Sequence, residues 1–263
     1  MMRVLYPKFL KWLAVLVLAL TLGACATTGQ NGSAPSKTVK ADPWEPMNRA
    51  VFSFNETLDE YLIKPVTKAY RAVVPEVVRT AISNVFSNIG DIYTAVNNLL
   101  QGKPKEAVSD LGRVVINTTM GVFGIFDIAT DAGLEKHKED FGQTLGVWGV
   151  GSGPFVVLPV LGPSTVRDTA GWVVDIKTDL LINQVDDVGV RNSITGVRIV
   201  DARSRFLDTE GIVEEAAFDK YSFIRDAYLA RRKNMIYDGN PPEERDMEDP
   251  SMSEPAPKAE SSK

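Results

Sequence analysis

The 263-residue sequence contains one cysteine, Cys25, and one histidine, His137. A single thiol excludes an internal disulfide, and a lone histidine leaves any zinc site to carboxylates, a poor donor set for that metal. A serine hydrolase has only His137 to use as its base. That residue stands in the charged stretch EKHKED, where a solvated surface position is expected. Basic residues are outnumbered, 29 against 34 acidic, so the footprint of nucleic-acid binding is missing and no such partner is expected. Phosphate-binding glycine loops are absent too. In GVGSGP, Val150 stands where a nucleophile elbow needs glycine before Ser152, and Pro154 stands where a dinucleotide fingerprint needs its third glycine. No catalytic residue, metal or cofactor is expected, and the chain reads as a non-enzyme.

Also lacking is an apolar run of the roughly 20 residues that a membrane-crossing helix needs. The run Trp12 to Leu22 falls well short, follows Arg3, Lys8 and Lys11, and closes on Gly23 and Ala24. This order of charge, apolar run and small residues is a secretory signal. The junction LGAC resembles the lipobox of bacterial lipoproteins, in which the cysteine becomes the lipidated first residue of the mature chain. Cys25 is therefore read as the lipid anchor, its covalent lipid the only attached group expected. At about 0.8 kcal/mol for each buried methylene, several acyl chains hold a protein on a membrane essentially permanently. Ala26, where retention at the inner membrane typically uses Asp, points to the outer membrane by resemblance to that sorting rule.

Four segments follow: a signal over residues 1–24, a lipidated flexible tether over 25–40, a folded domain over 41–238, and a disordered tail over 239–263. The tether is small and polar, reaching roughly 20 Å as a random coil. The tail is rich in proline, serine and acid.

Within the domain the apolar spacing is mainly helical. Met47, Val51, Phe54, Leu58 and Leu62 define a first helix that Pro65 should break or kink, with Asp42 and Glu45 at capping-box spacing before it. A second follows Pro75, running from Val78 to Leu100 and stopped by QGKP; a third carries Ala107, Leu111, Val114 and Val115. Asp140 with Gln143, and Thr165 with Asp168, sit at cap positions of two further helices, and two more are expected over Val190 to Leu207 and Tyr221 to Tyr237. The last carries the basic stretch ARRK near its end, where positive charge suits the helix dipole. Only GPFVVLPVLGP, Gly153 to Pro163, reads as extended, with Pro159 barring it from the middle of a sheet. This segment and MGVFGIFDIA, Met120 to Ala129, are unusually apolar. Either core or membrane contact accounts for both, and the lipid anchor favours the membrane.

DPWEPMNRAVFSFN (Asp42 to Asn55) and, above all, FGQTLGVWGVGSGPFVVLPVLGPSTVRD (Phe141 to Asp168) resemble the MlaA family, also called VacJ. The likeness covers about Asp42 to Arg232. It implies a mainly α-helical, ring-like single domain seated in the inner leaflet of the outer membrane, lipid-anchored on the periplasmic side. The implied partners are phospholipid, a trimeric porin and the periplasmic carrier MlaC. The implied function is removal of misplaced phospholipids from the outer leaflet through an amphipathic channel, without catalysis. By the same resemblance, Phe52, Phe54 and Asn55 form a candidate gating segment, although Ser53, Glu56 and Thr57 depart from the family pattern there. Gly149, Gly151, Gly153 and Pro154 are a candidate ring-shaping bend, or simply a tight turn. The alternative function is a structural lipoprotein that scaffolds porins or the envelope.

Overall fold

A computed structural model describes residues 41–208, 210–211 and 217–242. The signal, Cys25, the tether up to residue 40 and the tail beyond residue 242 lie outside them.

The domain is mainly helical, as expected. Helix α1 (Glu45–Leu58) passes through a π-helical turn (Asp59–Ile63) into α2 (Lys64–Val73); then come α3 (Glu76–Leu100), α4 (Pro104–Thr119), the short α5 (Ile128–Asp131) and α6 (Phe141–Val147). A two-stranded antiparallel hairpin, β1 (Phe155–Leu158) and β2 (Gly162–Thr165), pairs Phe155 with Thr165 and Leu158 with Gly162. Helices α7 (Val166–Thr178), α8 (Leu180–Asn183), α9 (Val188–Ser204) and α10 (Lys220–Ile236) complete it. Helix α3 packs along α4, α6 on α7, α9 against α2 and α3, and α10 on α6 and β2.

Two sequence expectations need correction. Pro65 does not end the first helix. A proline cannot donate to the carbonyl four residues back and its ring crowds it. The turn before it widens instead, with the Lys64 N–H reaching Asp59 O, and the helix continues. Nor do Asp42 and Glu45 form a capping box. Trp44 is the N-cap and contributes no side-chain bond, while Asp42 is buried and accepts from Asn48, Tyr221 and Arg225. The other caps are made: Asp140 accepts the Gln143 N–H at 2.9 Å and Thr165 accepts the Asp168 N–H at 3.1 Å. Pro159 lies in the hairpin turn, outside either strand.

Burial is distributed unlike that of a water-soluble bundle. Among the described residues six apolar side chains are buried against twenty-one polar or charged ones, while more than thirty large apolar side chains are exposed. Helices α3 and α4 show why. Their facing seam is built from Asn88, Asp91, Ala95 and Asn98 on one side and Ala107, Asp110, Arg113 and Asn117 on the other, three or four residues apart. That spacing normally carries the apolar stripe of a helix. Here the apolar residues Val96, Leu99, Val108, Leu111 and Val115 point outward. Among the described residues the apolar core cluster is small: Phe155, Val157 and Tyr221, covered by Val51, Phe52, Tyr228 and Leu229 where α1 and α10 meet the hairpin.

Candidate functional site

The polar seam works because nearly every group in it is paired, since a buried charge without partners costs several kcal/mol. Arg113, 0% exposed, donates through Nε to Asp91 Oδ2 (3.3 Å), through Nη2 to both oxygens of Asp127 (2.9 and 3.0 Å), and through Nη1 to Thr130 and to the Leu134 carbonyl. Lys136 reaches the other Asp91 oxygen at 2.6 Å, and Asn98 donates to Asp110 at 2.8 Å. Burial pushes the Asp127 carboxyl up, but bonds from Thr130 and Asn117 and the Arg113 charge hold it down at about 2. The expectation for His137 is corrected here: it is largely buried, with Nδ1 2.9 Å from Oδ1 of the fully buried Asp110, because the EKHKED stretch folds back over the seam. Nothing nucleophilic accompanies it in these bonds.

From this seam the segment Met120 to Phe126 projects as a wound knuckle. Its backbone is internally bonded, Phe123 N to Thr118 O, Gly124 N to Asn117 O and Phe126 N to Gly121 O. Gly121 has no room for a side chain, since a Cβ there falls 2.1 Å from the Phe126 carbonyl oxygen. Val122 and Phe123 sit in the left-handed region at φ 52° and 59°. That conformation is costly for bulky residues, and their side chains turn outward, Val122 51% and Phe123 78% exposed, with Phe126 beside them 55% exposed. A second apolar tip, Val160 and Leu161, is exposed at the hairpin turn. Such contiguous exposed apolar surface marks contact with lipid or protein.

Between α3 and α9 lies an apolar cavity of about 810 Å³, lined chiefly by Ile82, Val85, Phe86, Ile89, Val190 and Ile194. A polar cavity of about 240 Å³ opens where the hairpin meets α7 and α10; Asp140, Asp168, Asp175, Trp172, Tyr228 and Arg232 line it. Arg232, from the ARRK stretch, holds Asp140 (2.5 and 2.9 Å) and Asp168 (3.0 and 2.9 Å) together. Both carboxyls are pushed up by burial but held below the usual range by its hydrogen bonds and charge. Among the described residues Asp175 accepts only the Phe141 N–H, and burial together with neighbouring Asp140 pushes it up to about 6.

The residues singled out from sequence are only partly brought together. Asn55 bonds the hairpin turn, Nδ2 to Leu158 O at 2.9 Å and Oδ1 from Val160 N at 2.7 Å. Phe52 packs edge-on to Tyr221 at 5.6 Å, whereas Phe54 is exposed. Gly149 (φ 89°) and Gly153 (φ 66°) take left-handed conformations in the bend from α6 to β1, which Pro154 closes by accepting Val166 N–H. At Gly153 a Cβ comes 3.2 Å from that of Val166, while Gly151 faces open space. Cys25 lies outside the described residues.

Sequence reasoning missed Asn48, which does for β1 what Asn55 does for the turn: Nδ2 donates to Phe155 O (3.1 Å) and Oδ1 accepts from Val157 N (2.9 Å). Two amides seven residues apart on α1 thus satisfy the free edge of β1, which otherwise exposes unpaired backbone groups. The polar seam was missed as well. Its signal, Asn, Asp and Arg recurring every three or four residues, is in the sequence but reads as a solvated face.

The family described as MlaA lipoprotein matches residues 40–235. The intermembrane phospholipid transport system lipoprotein MlaA of Escherichia coli (strain K12) is 33% identical over 218 residues, 81% of this chain and 85% of that one. Its Haemophilus influenzae counterpart is 30% identical over 230 residues, 85% and 91% of the two chains. A solved structure described as "Structural basis for maintenance of bacterial outer membrane lipid asymmetry" contains a chain 34% identical to this one, superposing with a TM-score of 0.66 over 74% of this chain and 98% of that chain. With a matched stretch running through every helix from α1 to α9 and nearly all of α10, this chain belongs to the MlaA lipoprotein family.

Proposed function

We propose that this chain is an outer-membrane lipoprotein of intermembrane phospholipid transport: it takes phospholipids that have strayed into the outer leaflet and returns them through an amphipathic channel to a periplasmic carrier, keeping the two leaflets distinct. The observation that carries the reading is the inverted burial, a charged seam inside and apolar side chains outside. In water such a surface drives aggregation; in lipid it is solvated. Between helices surrounded by acyl chains the hydrophobic effect supplies no attraction, and interhelical hydrogen bonds and close packing hold the structure together. No described helix is long and apolar enough to cross a membrane. A helical ring seated in one leaflet, with the Met120 to Phe126 knuckle and the hairpin tip in the acyl region and a lipid on Cys25 as tether, fits these features.

Transport needs a sheltered route because carrying a two-tailed lipid through water exposes about 30 methylenes, on the order of 20 kcal/mol at about 0.8 each. The cavity between α3 and α9 offers acyl chains apolar cover, and the polar cavity offers the headgroup charged partners. A trimeric porin as neighbour in the membrane and MlaC as acceptor complete the proposal. No chemical step is assigned to the protein. Deleting the gene and labelling surface-exposed phospholipid tests it. Outer-leaflet phospholipid is expected to rise and to fall again on complementation with the wild type but not with Cys25→Ala. Unchanged asymmetry in the deletion strain overturns transport and favours a scaffolding role.

A further inference from the structure

Three carboxylates, Asp140, Asp168 and Asp175, and one arginine, Arg232, line the polar cavity between the hairpin, α7 and α10. Of its carboxylates, Asp140 and Asp168 are neutralised by Arg232, with Arg167 also on Asp168 at 2.8 Å. Asp175 makes no salt bridge among the described residues and feels Arg232 only through its charge; the Phe141 N–H, 3.3 Å from each oxygen, is the one donor that bonds to it there. The indole of Trp172 lines the same space, and Leu158, Leu161 and Pro163 make its apolar side. Resting on the transport reading above, we propose that this cavity binds the primary ammonium of an aminophospholipid headgroup, with Asp175 as its counter-charge and Trp172 as its wall.

The chemistry of the lining selects that class. A metal ion is a poor fit, because the Asp140 and Asp168 oxygens are spent on Arg232 and no group of metal-ligating side chains gathers among the described residues. An ammonium is donor-only, matches a carboxylate that has no salt bridge, and gains from an aromatic face. An adjoining cavity of about 260 Å³ shares Asp140, Tyr228 and Arg232 and continues the pattern. Gln143 lines it, is 1% exposed, and its Oε1 has no hydrogen-bond partner among the described residues. Lys138 and Arg231 line it as well and make no ion pair among the described residues, which places positive charge where the phosphate of the same zwitterion needs it. A headgroup without an ammonium leaves Asp175 without a salt bridge.

The test uses the full-length lipoprotein in micelles of equal phosphatidylethanolamine and phosphatidylglycerol, with bound lipid measured by mass spectrometry. Asp175→Asn is nearly isosteric and keeps an acceptor for the Phe141 N–H. We expect wild type to hold phosphatidylethanolamine in about tenfold excess, the scale of one charge-assisted hydrogen bond. The variant is expected to hold as much lipid in the ratio of the micelle, and Asp175→Glu to restore the preference. The same ratio in wild type and Asp175→Asn overturns the headgroup site while leaving transport standing. A wild type that carries no phospholipid overturns transport and this site with it. If Asp175→Asn does not fold, wild type decides the matter: glycerophosphoethanolamine is expected to displace bound phosphatidylethanolamine where glycerophosphoglycerol does not. Equal displacement by the two overturns the proposal, and a water-soluble headgroup that binds as tightly as the lipid assigns the site to a free solute instead.

Discussion

The α3–α4 hairpin and the corner where α1 and α10 meet the β-hairpin are built on opposite principles. The corner buries Phe155, Val157 and Tyr221 with aromatic contacts at 5.6 to 6.3 Å, as any water-soluble domain does. The hairpin of helices buries Asp91, Asp110 and Arg113 and turns its valines and leucines outward. Apolar burial is non-specific in partner, whereas a seam of ion pairs and amides fixes one register; the corner supplies cohesion and the seam supplies geometry. Two substitutions sharpen the contrast and carry the largest expected effects. Arg113→Leu leaves Asp91 and Asp127 buried without their guanidinium and should cost about 3–5 kcal/mol. Phe155→Ala opens a cavity of ordinary kind and should cost about 3–5 kcal/mol as well. Denaturant titration in detergent measures both. The difference lies in rescue: neutralising the acids as well, in Asp91→Asn/Arg113→Leu/Asp127→Asn, should recover part of the first loss. No recovery there removes the distinction between the two regions.

The outward apolar residues allow a second test. Phe123→Ser lies on an exposed tip, so stability of the protein in detergent should change by less than about 0.5 kcal/mol. Association of an unlipidated form with phospholipid vesicles, measured by flotation, should weaken by about 1.5–3 kcal/mol, the value of burying one large apolar side chain. A large loss of folded stability makes the knuckle part of a core and erases the difference between seam exterior and corner interior. Smaller again is Asn55→Ala, which removes two hydrogen bonds between α1 and the hairpin turn and should cost about 1–2 kcal/mol. Faster amide exchange at Val160, with Val157 unchanged because Asn48 still holds it, identifies the bonds concerned.

Much of this fold was legible from the residues. Apolar period, prolines and caps located α1, α3, α4, α6, α7, α9 and α10, since capping at Asp140 and Thr165 is local chemistry. The role of Pro65 was not legible, because a π-helical turn depends on Asp59 and Lys64 being free to shift their backbone bond. Nor was the direction in which each helix faces. Periodicity shows that α4 has two faces but not which one meets water, protein or lipid, so Leu111 and Val115 read as core while Asp110 and Arg113 read as surface. The polar cavity was illegible for a third reason: it assembles Asp140 at the N-cap of α6, Asp168 and Asp175 on α7 and Arg232 on α10, and only the tertiary fold brings Arg232 to Asp140 and Asp168.

A last prediction separates the seam from the polar cavity by pH. In the seam, Asp127 is held at about 2 by its partners, so the stability it provides is present above the usual carboxylate range and is lost as pH falls from about 4 toward 2. Asp175 acts in the opposite sense. Its folded-state value of about 6 lies above the 3.8 of an ordinary aspartate, so between those limits the native state keeps a proton that the unfolded chain has released. Stability must then fall as pH rises through that window, and the penalty is complete above about 6. Asp175→Asn cannot ionise. The variant is therefore expected to be modestly more stable than wild type at pH 7.5, with the gap closing as pH is lowered to about 4, where both proteins still retain most of the contribution from Asp127. Thermal melts in detergent without phospholipid, at half-unit pH steps, read the gap directly. A gap that is constant with pH means that Asp175 is an ordinary surface carboxylate and that the polar cavity, like the seam, leaves no charge unpaired.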